Sequence, residues 1–159
     1  MAVDMFLKID TVPGESQDAK HKDEIEISSF SWGCTQTGTF AQGGGGGAGK
    51  VAMHDFSFEM KTSKGSPKLF LACAKGDHLP KATLTCRKAG GEQQEYLKVT
   101  FTDLLVSSFE HRGLHGDDPQ ERITLNFAQV EEEYREQDSR GQLLGPVKTG
   151  YNLKKMTAV

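Results

Sequence analysis

Apolar side chains along this chain alternate with polar ones at a period of two, the pattern of half-buried β-strands. Val3, Met5, Leu7 and Ile9 share one parity, and Phe56, Phe58 and Met60 alternate with Ser57 and Glu59. In three long segments the apolar parity changes midway. Ile25 and Ile27 give way to Phe30, Trp32 and Cys34, with the change at Ser28-Ser29. Leu97, Val99 and Phe101 are followed by Leu104 and Val106, with the change at Thr102-Asp103. Ile123, Leu125 and Phe127 are followed by Val130 and Tyr134. A strand moves its buried side chains to the other face only through a bulge or a sharp bend. Such changes in three long strands predict a sheet that curls into a barrel or crosses between two packed layers.

Further strands are expected at 81–88 and 147–153, with turns at Pro13-Gly14, Gly90-Gly91, 113–119, Gly141 and Gly145-Pro146. One segment reads as helix. Ser66-Pro67 supplies an N-cap and a first-turn proline, Leu69 to Lys75 follows, and Gly76 stops it. The expected fold is an all-β barrel with one short α-helix. It forms a single domain over 1–159, with an extended Gly-rich loop at about 35–50.

That loop holds Gln42, Gly43, Gly44, Gly45, Gly46, Gly47, Ala48, Gly49, Lys50 and Val51. Gly44 and Gly49-Lys50 fit the spacing of a phosphate-binding loop. Val51 stands where a magnesium-binding Ser or Thr is needed, and strand alternation follows where a helix should begin. A nucleotide site is therefore not the reading. The loop is longer than a hairpin needs, and glycine is the residue most costly in backbone entropy to order. It reads as an arm that orders on meeting a partner.

The 159 residues suffice for a sizeable core, and the net charge of −3 carries no basic stripe of the kind nucleic acid requires. No apolar run is long enough to span a membrane. The N-terminal stretch contains Asp4 and Lys8, so it reads as a strand and not as a signal peptide. Cys34, Cys73 and Cys86 are an odd set with no Cys-x-x-Cys, as expected of reduced thiols in a chain made in the cytosol. Cys73 and Cys86 lie in apolar runs and read as small buried hydrophobes.

Nothing in the sequence indicates a reaction, and no cofactor or metal is expected. His111 and His115, with Asp117 and Asp118, fall in a Gly-rich loop that fixes no ligand geometry. His21 sits in a charged loop and His78 in a turn, neither beside a recognisable base or nucleophile. No Gly-x-Ser-x-Gly or His-Glu-x-x-His occurs. Glu131-Glu132-Glu133 reads as a solvated strand end. Trp32 reads as a core anchor. Ser31, between Phe30 and Trp32, then faces solvent or a lumen.

Motifs along nearly the whole chain resemble those of the haemolysin-coregulated protein (Hcp) family. They are Met1 to Ile9, Gly14-Glu15-Ser16, Ser31-Trp32-Gly33, the glycine run, and Arg87-Lys88-Ala89-Gly90-Gly91. Val106-Ser107-Ser108, Thr124 to Val130, Gly145 to Lys148 and Tyr151-Asn152 complete the set. Thr11-Val12-Pro13 departs from the pattern. The resemblance implies a β-barrel of two packed sheets with one helix. It implies hexameric rings that stack into the inner tube of the bacterial type VI secretion system, inside a contractile sheath and behind a spike. It implies small secreted effectors in the ring lumen, where Ser31 is the candidate contact. The arm from Gln42 to Val51 would reach an adjacent subunit or ring. Export would follow assembly in the cytoplasm, without a signal peptide. Some relatives carry catalytic extensions; here the chain ends at Val159, soon after the last expected strand, and a non-enzyme is expected. The alternative is an effector-binding module in which ring assembly serves cargo retention.

Overall fold

The computed structural model describes residues 2–38, 47–89 and 92–159. Eight strands and one helix follow in the order β1 (Val3–Ile9), β2 (Ile25–Gly38), β3 (Ala48–Lys61), α1 (Ser66–Lys75), β4 (His78–Lys88), β5 (Glu95–Arg112), β6 (Gln120–Gln137), β7 (Leu143–Asn152) and β8 (Thr157–Ala158). They form one antiparallel sheet in the order β3-β2-β1-β4-β5-β6-β7-β8. The sheet closes on itself where β3 pairs with β6, from Phe56 opposite Leu125 to Lys61 opposite Gln120. The barrel is thus one continuous sheet of six strands, curled until its faces pack against each other, and with its single helix it is the all-β barrel that was expected.

The expected parity changes are where the sheet curls. In β2 the change at Ser28 is a bulge, because the pairing with β3 shifts between Ile27 and Ser29. The changes in β5 and β6 are a single event shared with β4. Leu79, Leu104 and Phe127 lie in one cross-strand row, and Ala82, Phe101 and Val130 lie in another three residues away. All six are buried. All three strands therefore swap faces between the same two rows, without losing register. Asp103 sits in the crease with φ 57°, and its carboxylate accepts hydrogen bonds from Lys154 Nζ at 2.7 Å and His78 Nδ1 at 3.0 Å.

The barrel interior is aromatic. Phe101 lies 4.6 Å from Phe56 and 4.8 Å from Phe127, centroid to centroid, and meets the Trp32 ring edge-on at 5.8 Å. Helix α1 packs on β5 through buried Leu69 and Ala72 and through Phe70, 5.8 Å from Phe109. Its N-cap is Gly65, not the expected Ser66. A Cβ at Gly65 would meet the Pro13 carbonyl oxygen at 2.6 Å, so that approach excludes a side-chain cap. Ser66 instead turns its hydroxyl to the buried Glu121 carboxylate. Gly76 ends the helix at φ 70°, as expected.

Other differences are local. Gly145-Pro146, expected as a turn, lies within β7. Pro146 pairs with β6 only, and at that point β7 has an open edge, which tolerates a missing N–H. The Gly90-Gly91 turn lies outside the described residues. Glu131 to Glu133 are half-buried in the middle of β6, flanked by β5 and β7, and are not a strand end.

Replacing Phe101 with Ala is expected to lower unfolding free energy by about 3–5 kcal/mol. Urea unfolding would read this as a lower midpoint at similar slope. A loss below about 0.5 kcal/mol, typical of surface positions, would mean that Phe101 does not anchor the cluster.

Candidate functional site

Two segments overhang the barrel. The first is the outer half of β2 and β3. From Gly33 opposite His54 to Gly38 opposite Ala48, these strands pair only with each other. Cys34, Thr35, Gln36, Thr37 and Gly38 are all exposed. The extended loop expected at about 35–50 is therefore strand at both ends. Thr35 to Gly38 belong to β2, and Ala48, Gly49, Lys50 and Val51 to β3. The misreading has a physical cause: on the β2 strand of the ribbon Cys34 to Gly38 are all exposed, so that strand has no dry face there and no apolar alternation. Gly47 is exposed and precedes β3, while Gln42, Gly43, Gly44, Gly45 and Gly46 lie outside the described residues.

The second overhang is the end of β6 with β7. One row of side chains runs across the sheet from Met5 through Cys86, Leu97 and Tyr134 to Val147. Cys86 is buried, Met5 and Leu97 pack against the core, and then Tyr134 is 49% and Val147 73% exposed. The apolar inner face thus continues past the point of closure and ends uncovered.

Ser31 is exposed in β2, between Phe30 and Trp32, which both pack against the core. It lies opposite Ser57, and Ser57 lies opposite Thr124. The site therefore has small hydroxyl side chains as neighbours on two further strands.

A polar clasp that sequence reasoning missed ties the 10–24 loop to the barrel. His21 is buried, its ring stacked on Phe6 at 4.4 Å, with Nδ1 2.9 Å from Glu24 and Nε2 2.7 Å from Glu95. The Arg87 guanidinium lies 4.8 Å over the Phe6 ring and donates to both oxygens of Asp18 at 3.0 and 2.6 Å, and to Asp4 at 3.2 Å. The Arg87 hydrogen bonds hold the Asp18 carboxyl well below the usual carboxylate range. Lys154, with His78, lowers that of Asp103. His21 and Glu95 are 74 positions apart, so no local pattern could signal the contact.

His111 Nε2 lies 3.2 Å from the Thr62 hydroxyl, and His115 is exposed. Among the described residues, no group of three or more His, Cys, Asp or Glu side chains is arranged to hold a metal. No helix among them is long and apolar enough to cross a membrane. Cys86 is buried, Cys73 is only half-buried and Cys34 is exposed. Burial pushes the Cys86 thiol up to about 11.

Known proteins share this fold and much of this sequence. The chain matches the family model described as type VI secretion system effector, Hcp, over residues 6–134. It is 50% identical over 157 residues to protein hcp1 of Pseudomonas aeruginosa, covering 97% of each chain. The crystal structure of Hcp1 from Salmonella typhimurium superposes with a TM-score of 0.83 at 37% identity, covering 99% of this chain and 100% of that one. The structure of another type six secretion system protein gives 0.94 at 32% identity, with the same coverage. The chain belongs to the Hcp family of the type VI secretion system.

Two measurements check this site chemistry. A carboxyl held low keeps its charge longer in the folded chain, so its stabilisation is complete above the usual carboxylate range and is lost as pH falls below it. Asp18→Asn is therefore expected to lower the melting temperature at about pH 7, with the gap to wild type closing below about pH 4. A gap that is constant across pH would mean that the Arg87 contact contributes nothing through charge. In the native protein at about pH 7.5, a maleimide is expected to label Cys34 rapidly and Cys86 only after unfolding. Rapid native labelling at Cys86 would contradict its burial.

Proposed function

We propose that this chain is a single-domain structural subunit that forms hexameric rings with copies of itself. These rings stack into the inner tube of the type VI secretion system. The tube is assembled in the cytoplasm inside a contractile sheath and expelled behind a spike, without a signal peptide. Small effectors travel in the ring lumen. The observation that carries the ring is the uncovered end of the inner-face row. Tyr134 and Val147 continue a core face beyond the barrel, and a second copy presenting a different edge is the natural cover. Contacts of that head-to-tail kind close into rings when their rotation permits.

The β2–β3 ribbon supports the stacking arm. A lone two-stranded ribbon is marginal in water, and it gains stability when an adjacent copy or ring covers it. The arm proposed for this contact is the segment from Gln42 to Val51, of which Ala48 to Val51 belong to the ribbon itself.

Light scattering and negative-stain images of the purified protein test the reading. Particles of six-chain mass with a central hole are expected. Val147→Asp, at an exposed position, should leave the melting temperature of the isolated chain unchanged and shift the mass toward one chain. Wild-type protein that stays monomeric at every concentration, or rings unaffected by Val147→Asp, would overturn the ring or its proposed interface respectively.

A further inference from the structure

On the outside of the barrel, four strands bring hydroxyl side chains into one row. Ser31 of β2 faces Ser57 of β3, Ser57 faces Thr124 of β6, and Thr124 faces Ser108 of β5. A register shift between Val106 and Ser108 adds Ser107 to the same face. The Ser107 hydroxyl donates to Asp55 at 2.6 Å, and Asn126 Nδ2 donates to the other Asp55 oxygen at 2.9 Å. Thr124 Oγ1 lies 2.7 Å from Ser107 Oγ and 2.6 Å from Ser108 Oγ.

A hydroxyl carries one proton. Since Ser107 gives its proton to Asp55, Thr124 donates to Ser107, and Ser108 donates to Thr124. The three hydroxyl dipoles line up toward one carboxylate, and each bond in such a chain polarises the next. Asp55 is therefore fixed in direction by side chains from two neighbouring strands.

These donors are all neutral. Asp18 has Arg87, Asp103 has Lys154, and Glu59 has Arg122 at 3.7 Å. Among the described residues, Asp55 has no cation within ion-pair distance. It is half-exposed, and each of its oxygens keeps a lone pair free. Beyond the hydroxyl row lie Glu59, Arg122 and Glu110, one register row carrying two acids and one base. The next row on the same face, Lys61, Gln120 and Arg112, carries two bases, so what singles out Asp55 is not the charge of the face but an oriented carboxylate with no cation at ion-pair distance.

We propose that this face holds the cargo polypeptide and that Asp55 selects a cationic side chain on it, arginine foremost. The choice follows from charge complementarity. A planar guanidinium presents two parallel donors that match the free lone pairs of a fixed carboxylate. Small hydroxyls around it leave room for the incoming chain and offer hydrogen bonds to its backbone. The proposal rests on the reading that cargo is carried on the Ser31 face, and it adds the chemistry that the cargo must show.

Fluorescence anisotropy on the purified full chain tests it. The probes are two labelled peptides of alternating Gly and Ser, one with three Arg and one with Gln in their place. Asp55→Asn keeps a hydrogen bond at both ends, since the amide oxygen accepts from Asn126 and its NH2 donates to Ser107 once the hydroxyl chain reverses, and equal melting temperatures would confirm an intact fold. It should weaken the Arg peptide about tenfold, the scale of one charged hydrogen-bonded contact, and leave the Gln peptide unchanged. Glu110→Gln removes the same formal charge and should change binding less than about twofold. Equal losses from both variants, or no binding to wild type, would overturn a specific Asp55 site. If Ser31→Gln abolishes binding of both peptides while Asp55→Asn does nothing, the face holds cargo without the carboxylate and this inference falls alone. If Ser31→Gln leaves both peptides unaffected, the cargo reading of the face falls with it. Light scattering on each variant separates either result from loss of rings.

Discussion

The pairing of β3 with β6 is the constraint on which the structure depends. Six residue pairs, Phe56 to Lys61 against Gln120 to Leu125, turn an open sheet into a barrel. Closure removes two edges and brings Phe56, Phe58, Ile123 and Leu125 to the interior, where they meet Phe101. But β3 and β6 are far longer than the seam. What is left of β3 can pair only with β2, and what is left of β6 turns to β7. The two overhangs are geometric consequences of one short seam between two long strands.

The overhangs differ in chemistry, and the difference follows from where each leaves the barrel. The β6–β7 extension continues rows that are inside the barrel a few residues earlier, so it carries Tyr134 and Val147 outward. The β2–β3 ribbon leaves with its β2 strand exposed on both faces, and that strand carries Thr, Gln and Gly instead. An apolar extension needs a close-packed cover to remove it from water. A polar ribbon needs only a partner for its backbone and small side chains. The chain thus presents one apolar and one polar overhang, and the proposed ring assigns its closure to the first and its stacking to the second.

Legibility in the sequence tracks this division. Strands inside the barrel show their alternation because one face is dry, and the parity changes in β2, β5 and β6 mark real bends. The Gly76 helix stop is equally local. The ribbon at Thr35 to Gly38 escaped detection because it has no dry face, and Pro146 read as a turn because an open edge leaves no trace in composition. The clasp of His21 on Phe6 and Glu95 depends on a loop folding back over β1, and the Asp55 network depends on the mutual register of β3, β6 and β5. Such contacts are set by pairing between distant segments, and single-residue chemistry gives no hint of them. Alternation turned Ser31 outward and the resemblance made it a candidate contact, but neither revealed the side chains that surround it.

The chemistry of the Ser31 face follows from its position over the aromatic core. Phe56, Phe58, Ile123 and Leu125 occupy the inward positions of β3 and β6, so Asp55, Ser57, Thr124 and Asn126 must point outward. Apolar residues there would make a broad sticky patch on a barrel that already exposes one at Val147. Hydroxyls avoid that and still bind, because each can both donate and accept. A surface of hydroxyls alone would have little preference among polypeptides. One carboxylate, oriented by Ser107 and Asn126 and left without a counter-cation, supplies the preference. Its fixed direction lowers the ordering cost of a contact, while its partial exposure keeps the desolvation penalty small. On the proposed reading of this face, a contact of that kind favours a cationic cargo.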